Sequence, residues 1–355
     1  MRRDTPVRIA IVGCGQITET HISSLLKTAH VELVAACDAD GLRARKTAER
    51  FHVPAYHTDL TDALRKERID ATHIVTPPYT HPALSIQAMN AGCHVLVEKP
   101  MALNLADADR MVEAARVNRV RLCVAHNKLF NPVVSKARSI VARHVIGELT
   151  AMNMTLSELS NSPLVMEQNH WCHRLPGGVF SEILPHPLYL ASAFLGRLDV
   201  AQVYSRKIGS HDWLPADELR VILEGKSSVA EINLSLNGPR DIMAFDIIGT
   251  KGALHVSLLN GVLIKYTPVQ RNRFSHGLES VSTAWQWLAG TASTTLTIAV
   301  GRYHTGHPPL IQRFVESLQC DTKPPVTAEE SREVVRLHEM IASRMNPGLH
   351  HKLLA

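Results

Sequence analysis

Aromatic side chains are scarce, 5% of 355 residues, so stacking surfaces for a ring-shaped ligand are few. No C-x-x-C pair occurs among the six cysteines (Cys14, Cys37, Cys93, Cys123, Cys172, Cys320). Several of them sit in or beside apolar runs, so reduced, buried thiols and a reducing compartment are expected. No stretch approaches the roughly eighteen apolar residues of a membrane span. The apolar run Val7–Val12 is too short for a signal peptide and meets a Gly-rich turn. Nor is there a basic stripe: the formal charge is +5, and the densest basic group, Arg43, Arg45 and Lys46, shares a helix with Glu49. These absences exclude nucleic acid and membrane as expected partners and point to a cytoplasmic protein.

What is present is the balance of a globular protein, 45% hydrophobic and 20% charged, long enough for two domains. Over residues 1–125, short β-rich runs alternate with amphipathic helical stretches. The strands expected are Val7–Val12, Val31–Cys37, Ala71–Val75, His94–Val97 and Arg121–Ala125, the pattern of a doubly wound parallel sheet. Residues 126–355 read as a second α/β domain with a large, mostly antiparallel open sheet. A helix Val133–Arg143, a strand Leu149–Leu156 and a helix Ser181–Phe194 precede six runs of strand character between Val200 and Tyr266. Turn signals separate these runs as in a meander. Helices Pro309–Leu318 and Ala328–Arg344 close the chain, the latter opened by a Thr327/Glu330 capping box, and it is expected to pack back on the first domain. A meander with one uncovered face predicts a homodimer or homotetramer built from strands between Val200 and Tyr266.

The first strand runs into Gly13-Cys14-Gly15-Gln16-Ile17-Thr18 and then a helix. Two glycines allow a tight turn and close backbone approach to a pyrophosphate, and the helix N-terminus offers free N–H groups. Thr18 stands where the fingerprint's third glycine would pack helix on strand. Asp38 ends the next strand, where a carboxylate meets ribose hydroxyls, which favours NAD over NADP.

The segments Thr76-Pro77-Pro78-Tyr79-Thr80-His81 and Ala91-Gly92-Cys93-His94-Val95-Leu96-Val97-Glu98-Lys99-Pro100 resemble the Gfo/Idh/MocA oxidoreductases. That family includes glucose–fructose oxidoreductase and inositol dehydrogenase. The resemblance runs from the Gly13 turn to about Asn131, continues loosely through Gly177-Gly178 to His186, and returns at Pro324–Glu330. It implies a Rossmann domain followed by a substrate-binding α/β domain. It also implies oxidation of a secondary hydroxyl of a sugar, cyclitol or related polyol, or reduction of the ketone. By the same resemblance Thr76, Pro77 and His81 pass the nicotinamide ribose, Glu98 touches its ribose side, Lys99 meets cofactor and substrate, and Asn127 faces the cleft. Elementary chemistry agrees for Lys99: an ammonium at the carboxyl end of a parallel strand can stabilise a developing alkoxide.

Glu182 and His186, four apart on one helix, can face one cleft; His186 suits a general base and Glu182 an orienting group. The family places Asp where this chain has Glu182. Trp171, His173 and Arg174, in the long segment before Gly177, are candidate substrate contacts. His170-x-x-His173 and His304-x-x-His307 each lack a third ligand nearby in sequence, so no metal is expected. Two other functions stay open: a redox-neutral reaction with retained NAD (elimination, epimerisation or glycoside cleavage), and a non-catalytic NAD or metabolite sensor.

Overall fold

The structure, a computed structural model, describes residues 5–268 and 273–345. Two compact units divide the chain: Met1–Phe130 with Gly306–Arg336, and Asn131–Thr305 with Leu337–Ala355. Among the described residues no helix is long and apolar enough to cross a membrane.

The first unit is built on six parallel strands: β1 (Val7–Val12), β2 (Val31–Cys37), β3 (Ala55–His57), β4 (Ala71–Ile74), β5 (His94–Val97) and β6 (Leu122–Val124). Their order is β3-β2-β1-β4-β5-β6. The crossovers carry α1 (Thr18–Leu25), α2 (Gly41–Phe51), α3 (Leu60–Lys66), α4 (His81–Asn90) and α5 (Leu105–Val117). Ile9, Ile11, Ile74, Val95, Leu96 and Val97 are wholly buried, as strands covered on both faces must be. Asp40, Asp59 and Asn104 cap α2, α3 and α5 by accepting backbone N–H groups of the first turn. The strand β3 escapes sequence reading because it is three residues long and its Tyr56 is exposed.

In the second unit, α6 (Pro132–Ala142) leads to β7 (Leu149–Leu159), the short α7 (Pro163–Met166), α8 (Phe180–Ile183) and α9 (Pro185–Leu195). Then come β8 (Asp199–Arg206), β9 (Glu218–Glu224), β10 (Val229–Gly238), β11 (Ile242–Gly249), β12 (Gly252–Ser257) and β13 (Val262–Tyr266). The sheet order is β13-β12-β11-β7-β10-β9-β8. It corrects the single meander: two three-stranded meanders flank β7, which runs parallel to β10 and antiparallel to β11. The face turned away from the core is mostly polar, with Asn153, Glu231 and Asp246 on one rung and His255 bonded to Asp246 at 2.8 Å.

A 27-residue helix, α10 (Arg273–Ala299), follows the sheet where no element was expected. The chain then returns to the first unit with α11 (His307–Cys320), and α12 (Ala328–Arg344) crosses the boundary between units after Arg336. The capping box of α12 is formed: the Thr327 hydroxyl accepts from Glu330 N–H, while the Glu330 carboxylate accepts from Thr327 N–H.

Candidate active site

At the mouth of β1, Gly13 adopts φ +101°, and a Cβ there would lie 2.9 Å from Thr76 and Val75 atoms. Only glycine fits this close approach. A Cβ on Gly15 would meet nothing within 4 Å, so this part of the turn faces open space. Ile17, the N-cap of α1, gives the helix no side-chain cap. Gly13, Gly15, Gln16 and Ile17 therefore form a cradle suited to the pyrophosphate of a dinucleotide. Thr18 substitutes for the missing third glycine in its own way: its hydroxyl donates to Gly13 O at 2.9 Å and ties the helix to the turn.

Asp38 accepts Cys14 N–H at 2.7 Å through one oxygen and Asp40 N–H at 2.9 Å through the other. Each oxygen keeps a second lone pair, the acceptor a ribose hydroxyl requires. Arg43, the nearest candidate for a 2′-phosphate, is paired with Asp40 at 3.3 Å.

On β4's exit, Thr80 Oγ1 donates to Thr76 Oγ1 at 2.7 Å, and Pro77 is exposed. His81 is fully buried, its ring nitrogens 2.8 Å from Pro100 O and 2.8 Å from Thr76 O. It therefore braces the loops that carry Thr76 and Lys99, acting through them.

Glu98 is also buried, and a network not foreseen from sequence converges on it. Its Oε1 lies 3.0 Å from His21 Nε2 and 3.4 Å from His307 Nε2, and its Oε2 accepts Lys99 N–H at 3.1 Å. His21 Nδ1 is 3.2 Å from His73 Nδ1, and Asn127 Nδ2 is 3.4 Å from His307 Nδ1. One set of neutral tautomers satisfies all of these contacts. His73 donates to His21, His21 to Glu98, Asn127 to His307, and His307 to Glu98. His73 Nε2 then keeps a bare lone pair, consistent with its lack of a hydrogen-bond partner. Burial opposes the charge on Glu98, but hydrogen bonds from His21 and His307 hold its carboxyl well below the usual range. Burial likewise lowers the pKa of His21 and, further, of His73. The ligand atoms of His21, Glu98 and His307 lie within 4.8 Å of one another, a spacing a metal could also use. The 3.0 Å separation of His21 from Glu98 is a hydrogen bond's.

Lys99 follows β5, one strand beyond the β1–β4 crossover. Lys128 was also missed. Burial and the charge of Lys99 lower its pKa, which places the two ammonium groups within electrostatic reach of each other. Asn127, expected at a cleft, is buried against His307.

The other candidates belong to the second unit. Glu182 lies on α8 and His186 on α9, not on one uninterrupted helix. Leu184 between them keeps helical dihedrals, but Pro185 and Pro187 lack the N–H groups that would continue the ladder. His186 Nδ1 meets the Tyr189 hydroxyl at 2.9 Å, a partner the sequence reading overlooked. Gly177 (φ +89°) and Gly178 (φ +62°) turn the chain before α8, and a Cβ on Gly177 would press on Ser181 Oγ at 2.8 Å. A cavity of about 220 Å³ opens beside this turn, lined by His173, Arg174, Phe180, Trp213 and Met345 among others. Trp213 is fixed by its indole N–H donating to Val165 O at 3.0 Å. Trp171 packs on His170, ring centres 5.4 Å apart.

Two family models match the chain. Residues 7–126 match an oxidoreductase family domain with an NAD-binding Rossmann fold, and residues 138–352 match that family's C-terminal α/β domain. Myo-inositol 2-dehydrogenase of Thermotoga maritima is 24% identical over 93% of this chain and 94% of its own length. Oxidoreductase P35 of Formosa agariphila is 28% identical over 55% of this chain, which spans 63% of that relative. Among solved structures, the WlbA dehydrogenase of Bordetella pertussis, in complex with NADH and UDP-GlcNAcA, superposes with a TM-score of 0.79 at 21% identity. The superposition covers 96% of both chains, a likeness of fold.

Proposed function

Because the chain belongs to the Gfo/Idh/MocA oxidoreductase family, NAD-binding in its N-terminal domain, we propose that it oxidises a secondary hydroxyl of a sugar, cyclitol or related polyol, or reduces the corresponding ketone. The observation that carries this reading is the Glu98 carboxylate gripping Lys99 N–H at 3.1 Å while held by two histidines. Such a grip fixes the backbone from which Lys99 extends, at the carboxyl end of a parallel sheet where these folds bind ligands. Bound NAD supplies a hydride acceptor or donor. The ammonium of Lys99 polarises the substrate oxygen, and His186 takes the hydroxyl proton at Nε2 when its Nδ1–H is donated to Tyr189. Glu182 orients His186 or a neighbouring substrate hydroxyl. His173, Arg174 and Trp213 supply polar and stacking contacts at the cavity beside the Gly177 turn, with Trp171 and Asn127 as further substrate contacts. In this reading the first unit binds cofactor and the second binds substrate. Six free thiols, four of them buried, support a cytoplasmic setting.

The test is turnover of Lys99→Ala and His186→Ala on a panel of sugars, cyclitols and amino-sugar derivatives, followed by NADH absorbance. Each variant is expected to lose about 10²–10⁴-fold in kcat, with NAD affinity of His186→Ala unchanged. Wild-type turnover in both variants would place the chemistry elsewhere. Retained NAD, with product formed but no net NADH, would mark redox-neutral chemistry instead.

A further inference from the structure

The long helix α10 is amphipathic the wrong way round. Its protein-facing side carries Gln286, Gly290 and Thr294. The Gln286 amide accepts Lys265 N–H at 2.8 Å and donates to Lys265 O at 3.2 Å, satisfying the edge strand β13. Thr294 Oγ1 donates to Gly261 O at 3.0 Å, and a Cβ on Gly290 would sit 3.2 Å from Val262. At about 100° per residue, Leu278, Val281, Trp285, Leu288 and Leu296 share roughly 80° of arc, centred about 160° from that contact side. These five side chains are 57–68% exposed. From Ser280 to Ala299 the helix has no charged residue.

We propose that this stripe is the contact through which two copies of the chain associate, the two helices packing antiparallel about a two-fold axis. Three observations favour a second copy over any other occupant. First, the stripe repeats at alternating steps of three and four (278, 281, 285, 288, 292, 295, 299), the spacing with which one helix seats on another. Second, it is graded: its first half is bulky, while its second half includes Ala292, Thr295 and Ala299. Antiparallel pairing about an axis between Leu288 and Ala289 sets Trp285 against Ala292, Val281 against Leu296 and Leu278 against Ala299, so bulk meets room at most levels. Third, a face with no charged residue from Ser280 to Ala299 meets its own copy without like-charge repulsion. The five side chains expose on the order of 600 Å², at the upper end of a monomer's largest patch and near the share each partner gives to a standard interface.

Light scattering and sedimentation on the full chain test this, with Leu288→Arg and Trp285→Glu as disrupting variants. Self-association in the low micromolar range, weakened at least 10²-fold by either variant with the circular dichroism of the wild type kept, is the expected result. Should a variant fail to fold, cysteine cross-linking keeps the question open to refutation. Leu288→Cys, beside the axis, should form a disulfide-linked dimer above the wild-type background from exposed Cys320, and Val281→Cys should not. A monomeric wild type, assembly indifferent to both disrupting variants, cross-linking through Val281→Cys, or partition onto phosphatidylcholine vesicles without self-association would overturn the proposal.

Discussion

At the scale of single residues, the structure turns on Glu98, a buried carboxylate facing three donors. Replacing it with glutamine keeps the shape but sets the amide N–H₂ against either the Lys99 N–H or the two histidine N–H groups, so a donor must turn away. Lys99, whose backbone N–H rests on the other oxygen, should shift with it. A displacement of about 1 Å at a catalytic group costs on the order of 10²-fold in rate. Glu98→Gln is therefore expected to lower kcat by about that factor, with KM and NAD affinity little changed, and Glu98→Asp to restore part of it. Steady-state kinetics checks this; an equal loss in both variants, carried entirely by KM, would assign Glu98 to binding. Little of the network was legible in the chain. His21 lies 77 positions from Glu98 and 52 from His73, and His307 lies 180 from Asn127, so only tertiary structure brings them together. A local signal did exist: His73 lies in a strand buried throughout, where a polar residue needs a partner.

Elements proved more legible than contacts, for a physical reason. β1, β2, β5 and α5 announce themselves because short apolar runs, caps and glycines act within a few residues. The helix α10 hides because it is crowded with Ser, Thr and Gly, poor helix formers, and α8 and α9 read as one helix because dihedrals persist where hydrogen bonds fail. The Gly13 turn was readable from local order alone, and its constraint is sharp. Gly13→Ala brings a Cβ to 2.9 Å from three atoms at a φ of +101°, so stability should fall by more than about 1 kcal/mol. NAD binding should weaken with it. Thermal melting with and without NAD measures both; an unchanged melting temperature would mean that the turn relaxes freely.

For the molecule as a whole, neutral buried histidines predict acid lability. Burial holds His126 down to about 3 and His338 to about 4, and lowers His21 and His73 as well. Unfolded histidine titrates near 6.5, so below that pH the unfolded chain binds protons the folded chain refuses. Stability is complete above about pH 6.5 and falls as pH drops, by about 1.4 kcal/mol per unit for each such group until its folded pKa is reached. Glu98 adds to this loss only below the unfolded carboxyl value near 4.3, because its folded pKa is depressed. Urea unfolding midpoints at pH 7.5 and 5.5 should differ markedly; equal midpoints would mean that the histidines are charged in the fold. The discontinuity of the first unit has a consequence in time. The chain leaves it at Phe130 and re-enters at Gly306, bringing His307 to Glu98 and α11 against α1. On a ribosome adding about 5–20 residues per second, the nascent Rossmann sheet waits roughly 10–35 seconds for that return. Throughout this interval Glu98 lacks one of its two histidines and α1 lacks its cover, so the earliest-made domain is among the last to be finished.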